Sequence, residues 1–327
     1  MMIIYPPKLK QGDTIAVISP SRSFSILSPE TQEIANKRLS DLGLQVRFLP
    51  HLKEKDEFNS SSIESRVNDL HQAFSDKTIH AIFTSIGGFN SNQLLRYLDW
   101  NLIQKNPKIF CGFSDITALQ NVMLAKSGLV TYYGPHYSSF GQKSYMDYTL
   151  EYVSKCLFSD TPYDITPSAQ WSDDAWYLDQ DKRTLRTNPG WQIIHEGNAE
   201  GRIVGGNLST FSLLFGTEYM PDLTDSIFFL EDDEESQAHH FDRMLQALIH
   251  QPGFSNVRGI VIGRFQNASK VTGELLQKII ETKKELQHIP VLAQLDFGHT
   301  DPKITFPIGG KALIEATSKP RITVLEH

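Results

Sequence analysis

A serine that follows a short apolar run is the first residue whose position could do chemistry. Ser114 comes after the run 108–111 and the pair Gly112-Phe113, and a helical pattern follows it. A serine at such a turn is lifted toward solvent and faces the free N–H groups of a helix N-terminus, which can hold an oxyanion. The segment departs from G-x-S-x-G because Ile116 replaces the second glycine. A serine that only caps the helix is the alternative.

A glycine pair, Gly87-Gly88, directly follows another apolar run, 81–84. Glycine lets the backbone approach a ligand closely and can point N–H groups at an anion. The pair lacks the third glycine in register and the acidic partner of a dinucleotide-binding fingerprint. It therefore predicts either an oxyanion-binding loop or a tight turn.

A carboxylate and a histidine could complete a hydrolytic set. Glu231 ends an apolar run and opens the acidic run 231–235, and His299 lies in the segment 297–300. A serine hydrolase needs a base that takes the hydroxyl proton and a carboxylate that orients this base. On residue type alone, the acidic run is a solvated surface and a lone histidine is structural or exposed. The adjacent pair His239-His240 would point about 100° apart on a helix, which disfavours a metal site.

Alternating strands and helices would position these residues, since ligands bind at the carboxyl ends of strands in open α/β sheets. Pro, Ser, Asp and Trp without a clear period between 159 and 190 predict a linker or substrate loop, 166–190, between domains 1–165 and 191–327. The predicted strands are 14–18, 44–48, 81–84, 108–111, 226–230 and 259–262. The predicted helices begin after Ser28-Pro29, at a Ser61–Glu64 capping box, near Asn207, and over 238–249 and 273–286.

Composition excludes several classes of function. The chain has 327 residues, 31 Lys+Arg against 38 Asp+Glu and two cysteines. A net charge of −7 without a basic block disfavours nucleic acid as a partner. Cys111 and Cys156 cannot form a disulfide framework or a four-thiolate zinc site, and Cys111 in a buried strand is expected to be inert packing. The absence of a recognisable leader or membrane segment predicts a soluble, cytoplasmic protein.

Six segments carry a resemblance to a known family: 12–21, 86–92, 112–117, 200–202 with 205–208, 230–232 and 297–300. Taken together they resemble the serine LD-carboxypeptidases, a family that includes the microcin C immunity proteins. The resemblance covers nearly the whole chain. It implies a flavodoxin-like N-terminal domain with a parallel sheet, a smaller swivelling C-terminal α/β domain and commonly a homodimer. It also implies hydrolysis by a Ser-Glu-His triad without a metal or other cofactor.

The resemblance also assigns roles to individual residues. Ser114 would be the nucleophile, His299 the base and Glu231 the orienting carboxylate. The backbone N–H groups of Gly88 and Asp115 would form the oxyanion hole. The remaining acids, 232–235, keep their interpretation as a solvated face, and no Lys or Arg stands among them to meet a substrate anion.

The segments 89–95, 129–136 and 171–176 resemble the immunity branch, whose substrate is the amide between a peptide's C-terminal aspartyl group and a modified nucleotide. The alternative is a muropeptide LD-carboxypeptidase that removes a terminal D-residue. Trp176 could stack a nucleobase or pack the linker, Asn207 could contact substrate or cap a helix, and Asn90 is a further candidate contact. A non-catalytic cytoplasmic protein that binds a peptide or nucleotide is the alternative from another class.

Overall fold

Two β-sheets with helices packed on them form the framework of the protein. The structure is a computed structural model and describes residues 2–327. The strands, numbered in chain order, are β1 Thr14–Ile18, β2 Gln45–Phe48, β3 Ala81–Thr84, β4 Ile109–Gly112, β5 Thr131–Tyr133, β6 Tyr163–Ile165, β7 Gln170–Trp171, β8 Arg186–Thr187, β9 Gln192–His195, β10 Gly197–Asn207, β11 Ser226–Glu231, β12 Gly259–Gly263, β13 Val291–Leu295, β14 Phe306–Ile308, β15 Lys311–Ala316 and β16 Arg321–Glu326. The helices are α1 Pro29–Asp41, α2 Ile63–Ser75, α3 Trp100–Lys105, α4 Thr117–Ser127, α5 Asp147–Leu157, α6 Leu208–Ser212, α7 Ala238–Ile249 and α8 Gly273–Glu281.

The first sheet has the strand order β14-β5-β4-β3-β1-β2. Its five N-terminal strands run parallel, and β14 returns from late in the chain to pair antiparallel with β5. Strands β3 and β4 are fully buried, which explains their continuous apolar runs, because helices cover both faces of a parallel sheet. The predicted α/β class with a parallel N-terminal sheet is confirmed.

The second sheet has the order β6-β16-β15-β10-β11-β12-β13-β9. Its centre, β10 to β13, is parallel, and antiparallel strands flank it on both sides. β6 precedes the predicted linker along the chain but pairs with β16 in this second sheet. Together with β14 in the first sheet, β6 shows that the chain crosses three times between the two halves.

The helix ends test two of the predicted start signals. Ser28 caps α1 as predicted, because its Oγ accepts a hydrogen bond from the Thr31 N–H at 3.1 Å. The Ser61–Glu64 capping box is wrong: Ser61 is buried, and Ser62 caps α2 through the Ser65 N–H at 3.0 Å. Because α2 must turn its apolar face toward the core, its starting position is fixed. Of the three consecutive serines 60–62, only Ser62 then lies at the N-cap position.

Two further observations concern helix length. The predicted helix 273–286 is two elements, since α8 ends at Glu281 and a separate 3₁₀ turn spans Lys284–Leu286.

A membrane-spanning helix needs about 20 apolar residues. Over residues 2–327, none of the helices combines the length and apolar character that crossing a membrane requires.

Candidate active site

Ser114 lies just beyond the carboxyl end of β4, at the first residue of a 3₁₀ turn, Ser114–Ile116, that leads into α4. Its φ of +61° is in the left-handed region, which side chains other than glycine rarely adopt. Such strained residues concentrate at functional sites. Neither the 3₁₀ turn nor α4 receives a side-chain cap. The helix-capping alternative for Ser114 is therefore not what the side chain does.

Three side chains from distant parts of the chain form one hydrogen-bonded line. His299 Nε2 lies 3.0 Å from Ser114 Oγ, and His299 Nδ1 lies 2.8 Å from Glu231 Oε2. Glu231 is the last residue of β11, and His299 follows β13, so both lie at the carboxyl edge of the second sheet. Both distances are normal for hydrogen bonds. The structure thus brings together the three residues that the resemblance grouped.

Burial and charge act in opposite directions on the two titratable groups. Burial alone would raise the pKa of the Glu231 carboxyl, but the charge of His299 and hydrogen bonds to the carboxylate outweigh it and lower this pKa. Burial alone would lower the pKa of His299, but the Glu231 carboxylate outweighs it and raises this pKa. Glu231 is therefore ionised and His299 is a strengthened base. With its proton on Nδ1, the imidazole presents the Nε2 lone pair to the Ser114 hydroxyl.

The histidine loop needs glycine to close over the buried carboxylate. Gly298 has a φ of +97°, and a β-carbon at this position would lie 2.4 Å from Glu231 Oε2. No side chain fits that space, because real β-carbons essentially never approach within 3.0 Å of another heavy atom. The segment around His299 therefore depends on glycine for its contact with Glu231.

Hydroxyl groups hold the glycine loop against the nucleophile turn. The Asp115 carboxylate accepts hydrogen bonds from Ser21 Oγ at 2.6 Å and from the Ser91 N–H at 2.9 Å. Ser91 Oγ in turn donates to the Asp115 carbonyl at 2.7 Å. In the part of the chain that the structure describes, neither the Gly88 nor the Asp115 N–H donates to a protein acceptor. Both amides are thus available to an external oxygen.

Asn207 is engaged at both ends of its side-chain amide. Its Oδ1 caps α6 by accepting from the Thr210 N–H at 2.9 Å, and its Nδ2 donates to Asp232 Oδ1 at 3.1 Å. The helix-capping alternative for Asn207 is therefore confirmed. Contact between this residue and a substrate stays a prediction.

The other two candidate substrate contacts, Asn90 and Trp176, have different surroundings. Asn90 is buried, accepts hydrogen bonds from Arg66 and lines a cavity of about 310 Å³. Trp176 is half-buried with its ring edge-on to Tyr177. Trp171 packs between two guanidinium groups, 5.1 Å from that of Arg186 and 4.8 Å from that of Arg264. These contacts pack Trp171, whereas substrate contacts of Asn90 and Trp176 stay predictions.

The solvated-face interpretation is wrong for Asp232. This residue is buried, and its carboxylate accepts hydrogen bonds from Asn207 and from Ser209 Oγ at 2.7 Å. Burial raises its pKa to about 6. β11 ends inside the sheet, so the residue after Glu231 is still covered by neighbouring elements. Glu234 and Glu235 are exposed, as predicted for the run.

Two residues of the site had no role assigned from the sequence. The Tyr133 hydroxyl donates to Glu231 Oε1 at 2.5 Å. His136 is buried, with Nδ1 2.7 Å from Thr84 Oγ1 and its ring 4.2 Å from that of Phe113. Both follow or end β5, so a search of every strand end in the sheet would have reached them. Cys111 is buried in β4, and burial raises its pKa well above its usual value, as expected of an unreactive thiol.

Comparison with known proteins covers both halves of the chain. Residues 15–134 match the LD-carboxypeptidase N-terminal domain, and residues 200–314 match the LD-carboxypeptidase C-terminal domain. The putative carboxypeptidase YocD of Bacillus subtilis is 54% identical over 99% of this chain and 100% of its own length. A probable murein peptide carboxypeptidase of the same organism is 31% identical, covering 97% and 94% of the two chains.

Solved structures agree with these sequence matches. An MccF-like protein from Bacillus anthracis has a TM-score of 0.98 and 52% identity, covering 99% of this chain and 100% of its own. The microcin C7 self-immunity protein MccF in complex with aspartyl sulfamoyl adenosine has a TM-score of 0.90 and 30% identity, with 99% of each chain covered. The chain belongs to the LD-carboxypeptidase family and is a serine-type carboxypeptidase, a hydrolase.

Proposed function

We propose that the protein hydrolyses an amide bond with Ser114 as nucleophile, His299 as general base and Glu231 as orienting carboxylate. The observation that carries the proposal is the unbroken hydrogen-bonded line through these residues, with separations of 3.0 and 2.8 Å. A nucleophile within hydrogen-bond reach of a base, itself oriented by a third group, is the geometry that covalent catalysis requires.

The proposed reaction has two halves. His299 Nε2 takes the proton of Ser114 as its oxygen attacks the amide carbon, and the developing oxyanion accepts hydrogen bonds from the Gly88 and Asp115 N–H groups. The imidazolium then gives its proton to the leaving nitrogen, and an acyl-enzyme remains. Water, deprotonated by His299, releases the acyl group. Removing one oxyanion donor costs about 3–4 kcal/mol of activation free energy.

For the substrate, we propose the amide between a C-terminal aspartyl group and a nucleotide-like leaving group. The MccF-like neighbour at 52% identity and the MccF complex with aspartyl sulfamoyl adenosine support this choice. Removal of a terminal D-residue from a muropeptide is the second candidate. The murein peptide relative at 31% identity favours it.

The proposed reaction needs both halves of the molecule. We propose that residues 1–165 form the domain that carries the nucleophile, that 166–190 form the linker or substrate loop, and that 191–327 carry Glu231 and His299. The hydrogen bond between Ser114 at the first sheet and His299 at the second supports this division of labour. A homodimer and a cytoplasmic location complete the proposal, and size-exclusion chromatography with light scattering and cell fractionation test them.

Substitution of the nucleophile tests the reaction type. Ser114→Ala should lower hydrolysis by at least roughly 10⁴-fold, because triad members act as a unit. A fluorophosphonate probe should label the unaltered enzyme at Ser114 and leave the variant unlabelled. Ser154→Ala removes an exposed hydroxyl on α5 and is the matched control. An active Ser114→Ala enzyme with an unchanged melting temperature would contradict the proposal and favour a non-catalytic binding role for the serine.

A side-by-side assay tests the substrate. Aspartyl sulfamoyl adenosine and a muropeptide tetrapeptide are each incubated with the enzyme, and product masses are read directly. Release of free aspartate and sulfamoyl adenosine at a kcat/KM at least tenfold above tetrapeptide cleavage is the expected result. The opposite preference would replace the proposed substrate with the muropeptide and leave the proposed reaction type intact.

A further inference from the structure

A single phenol connects the two halves of the proposed site. The Tyr133 hydroxyl donates to Glu231 Oε1 at 2.5 Å and lies 3.4 Å from the Ser114 N–H, from which it accepts. The other carboxylate oxygen, Oε2, is bound to His299. Each oxygen of the buried Glu231 carboxylate thus has its own donor. Tyr133 touches the nucleophile turn and the carboxylate at once, although 98 residues separate it from Glu231.

The surroundings of Tyr133 leave its ring little freedom. Tyr133 ends β5 and is buried, and its ring stacks on Phe306 of β14 with centroids 5.0 Å apart. On the side of the second sheet, a β-carbon on Gly206 would lie 2.8 Å from Tyr133 Cε2. Gly206, with a φ of +119°, therefore makes room for the ring where β10 passes it. A phenol held this tightly directs its hydroxyl to one place.

We propose that Tyr133 is a positioning residue that fixes the Glu231 carboxylate and sets the strength of His299 as a base. This inference rests on the proposed function, because it concerns how the proposed base is prepared. Tyr133 touches no reacting atom in the proposed reaction and acts through Glu231.

Tyr133 affects His299 because its hydrogen bond withdraws part of the negative charge of the Glu231 carboxylate. A donor to a carboxylate stabilises its charged form and makes the carboxylate a weaker acceptor for its other partners. The phenol itself stays protonated, since burial raises its pKa, and the neighbouring Glu231 charge raises it further. The other charged groups near His299 are Asp232 and Asp233, whose charges favour its protonation. His136 and Lys303 face the same region from elements packed around Phe113.

Tyr133→Phe removes only the hydroxyl. Without this donor, more negative charge remains on Glu231, so the imidazolium form of His299 is favoured. The base must be neutral to act, so the acid limb of the pH–rate profile should move upward by about 0.5 pH unit. The plateau rate should fall roughly tenfold, because the carboxylate loses one of its two anchors.

The neighbouring residue is a matched control. Tyr132 is equally buried in β5, but its hydroxyl has no hydrogen-bond partner within residues 2–327. Tyr132→Phe should leave both the plateau rate and the pH midpoint unchanged. The rate is that of Ser114 labelling by a fluorophosphonate probe, so the test needs no natural substrate. Thermal unfolding of both variants is measured in parallel.

A second variant keeps the test independent of any folding defect in Tyr133→Phe. Replacing Tyr133 with 3-fluorotyrosine preserves the ring and makes the hydroxyl a stronger donor, so the acid limb should move downward. Opposite shifts for the two variants support the inference. Unchanged midpoints in a labelled, folded enzyme overturn it. An unaltered enzyme that the probe does not label at Ser114 overturns the proposed function, and this inference falls with it.

Discussion

The carboxyl edges of the two sheets contribute to the site in different ways. At the first sheet, the left-handed turn at Ser114 and the hydroxyls of Ser21 and Ser91 shape the backbone. At the second, Glu231 and Asp232 are buried acids that act on the histidine through charge. The first edge therefore fixes the backbone around Ser114, and the acids of the second edge control the protonation of His299. Substitution of Ser21 at the first edge should therefore change the rate and leave its pH dependence unchanged, whereas substitutions of the second-edge acids, or of Tyr133 that donates to Glu231, should change the pH dependence.

Among the residues that support the nucleophile, the largest effect is expected at the second edge. Glu231→Gln removes the charge that raises the pKa of His299 and presents an amide N–H or a weaker acceptor to Nδ1. We expect the plateau rate to fall by roughly 10³–10⁴-fold, because the imidazole loses both its orientation and the stabilisation of its charged form. Steady-state hydrolysis measures the effect, with Glu235→Gln, an exposed acid of the same run, as the control. A variant that keeps a tenth of the activity would contradict the triad.

A smaller effect is expected at the first edge. Ser21→Ala removes the 2.6 Å hydrogen bond to Asp115 and loosens the glycine loop that carries the Gly88 N–H. We expect kcat to fall roughly tenfold, which corresponds to one hydrogen bond to a charged group. The pH midpoint should stay in place, since no titratable neighbour of His299 changes. A shifted midpoint in Ser21→Ala would show that the two edges are not separable as we describe.

The sequence predicts the local elements of these edges better than their contacts. The strand 14–18, the start of the helix at Pro29 and the proximity of the three proposed triad residues agree with the structure, because each depends on a run of residues or on a family pattern. The burial of Asp232 and the bond from Tyr133 to Glu231 join elements far apart in the chain. Side-chain contacts of that kind depend on how the sheets pack, which no local pattern contains.

Asp232 offers a finer test of the charged edge. Its carboxylate lies next to Glu231, and its charge contributes to the raised pKa of His299. Asp232→Asn removes that charge, so the histidine becomes neutral at lower pH and the acid limb should move downward by about 0.3–0.5 unit. The expected result is a gain of at most about two- to threefold at pH 6 with little change at pH 8. Ser209→Ala, which removes a donor to the same carboxylate, controls for the hydrogen bonds. A midpoint that stays in place in Asp232→Asn would show that this buried acid is only structural.

The smallest effect is expected for Asp233 and Glu234, the two acids that follow the buried residues Glu231 and Asp232. Asp233 is partly exposed and Glu234 is exposed, so solvent screens both side chains more than that of Asp232. The Asp233 charge still contributes to the raised pKa of His299, and a pH above the acid limb removes this contribution from the measured rate. In the double variant Asp233→Asn/Glu234→Gln, turnover of aspartyl sulfamoyl adenosine at pH 8 should change less than twofold, because neither acid belongs to the proposed machinery. KM is the sensitive quantity, since removing two negative charges beside an anionic substrate's path would lower it if the substrate met them. A fall in kcat would instead show that these acids contact the reacting groups. The acids that act on the reaction would then extend beyond Asp232 into the exposed part of the acidic run.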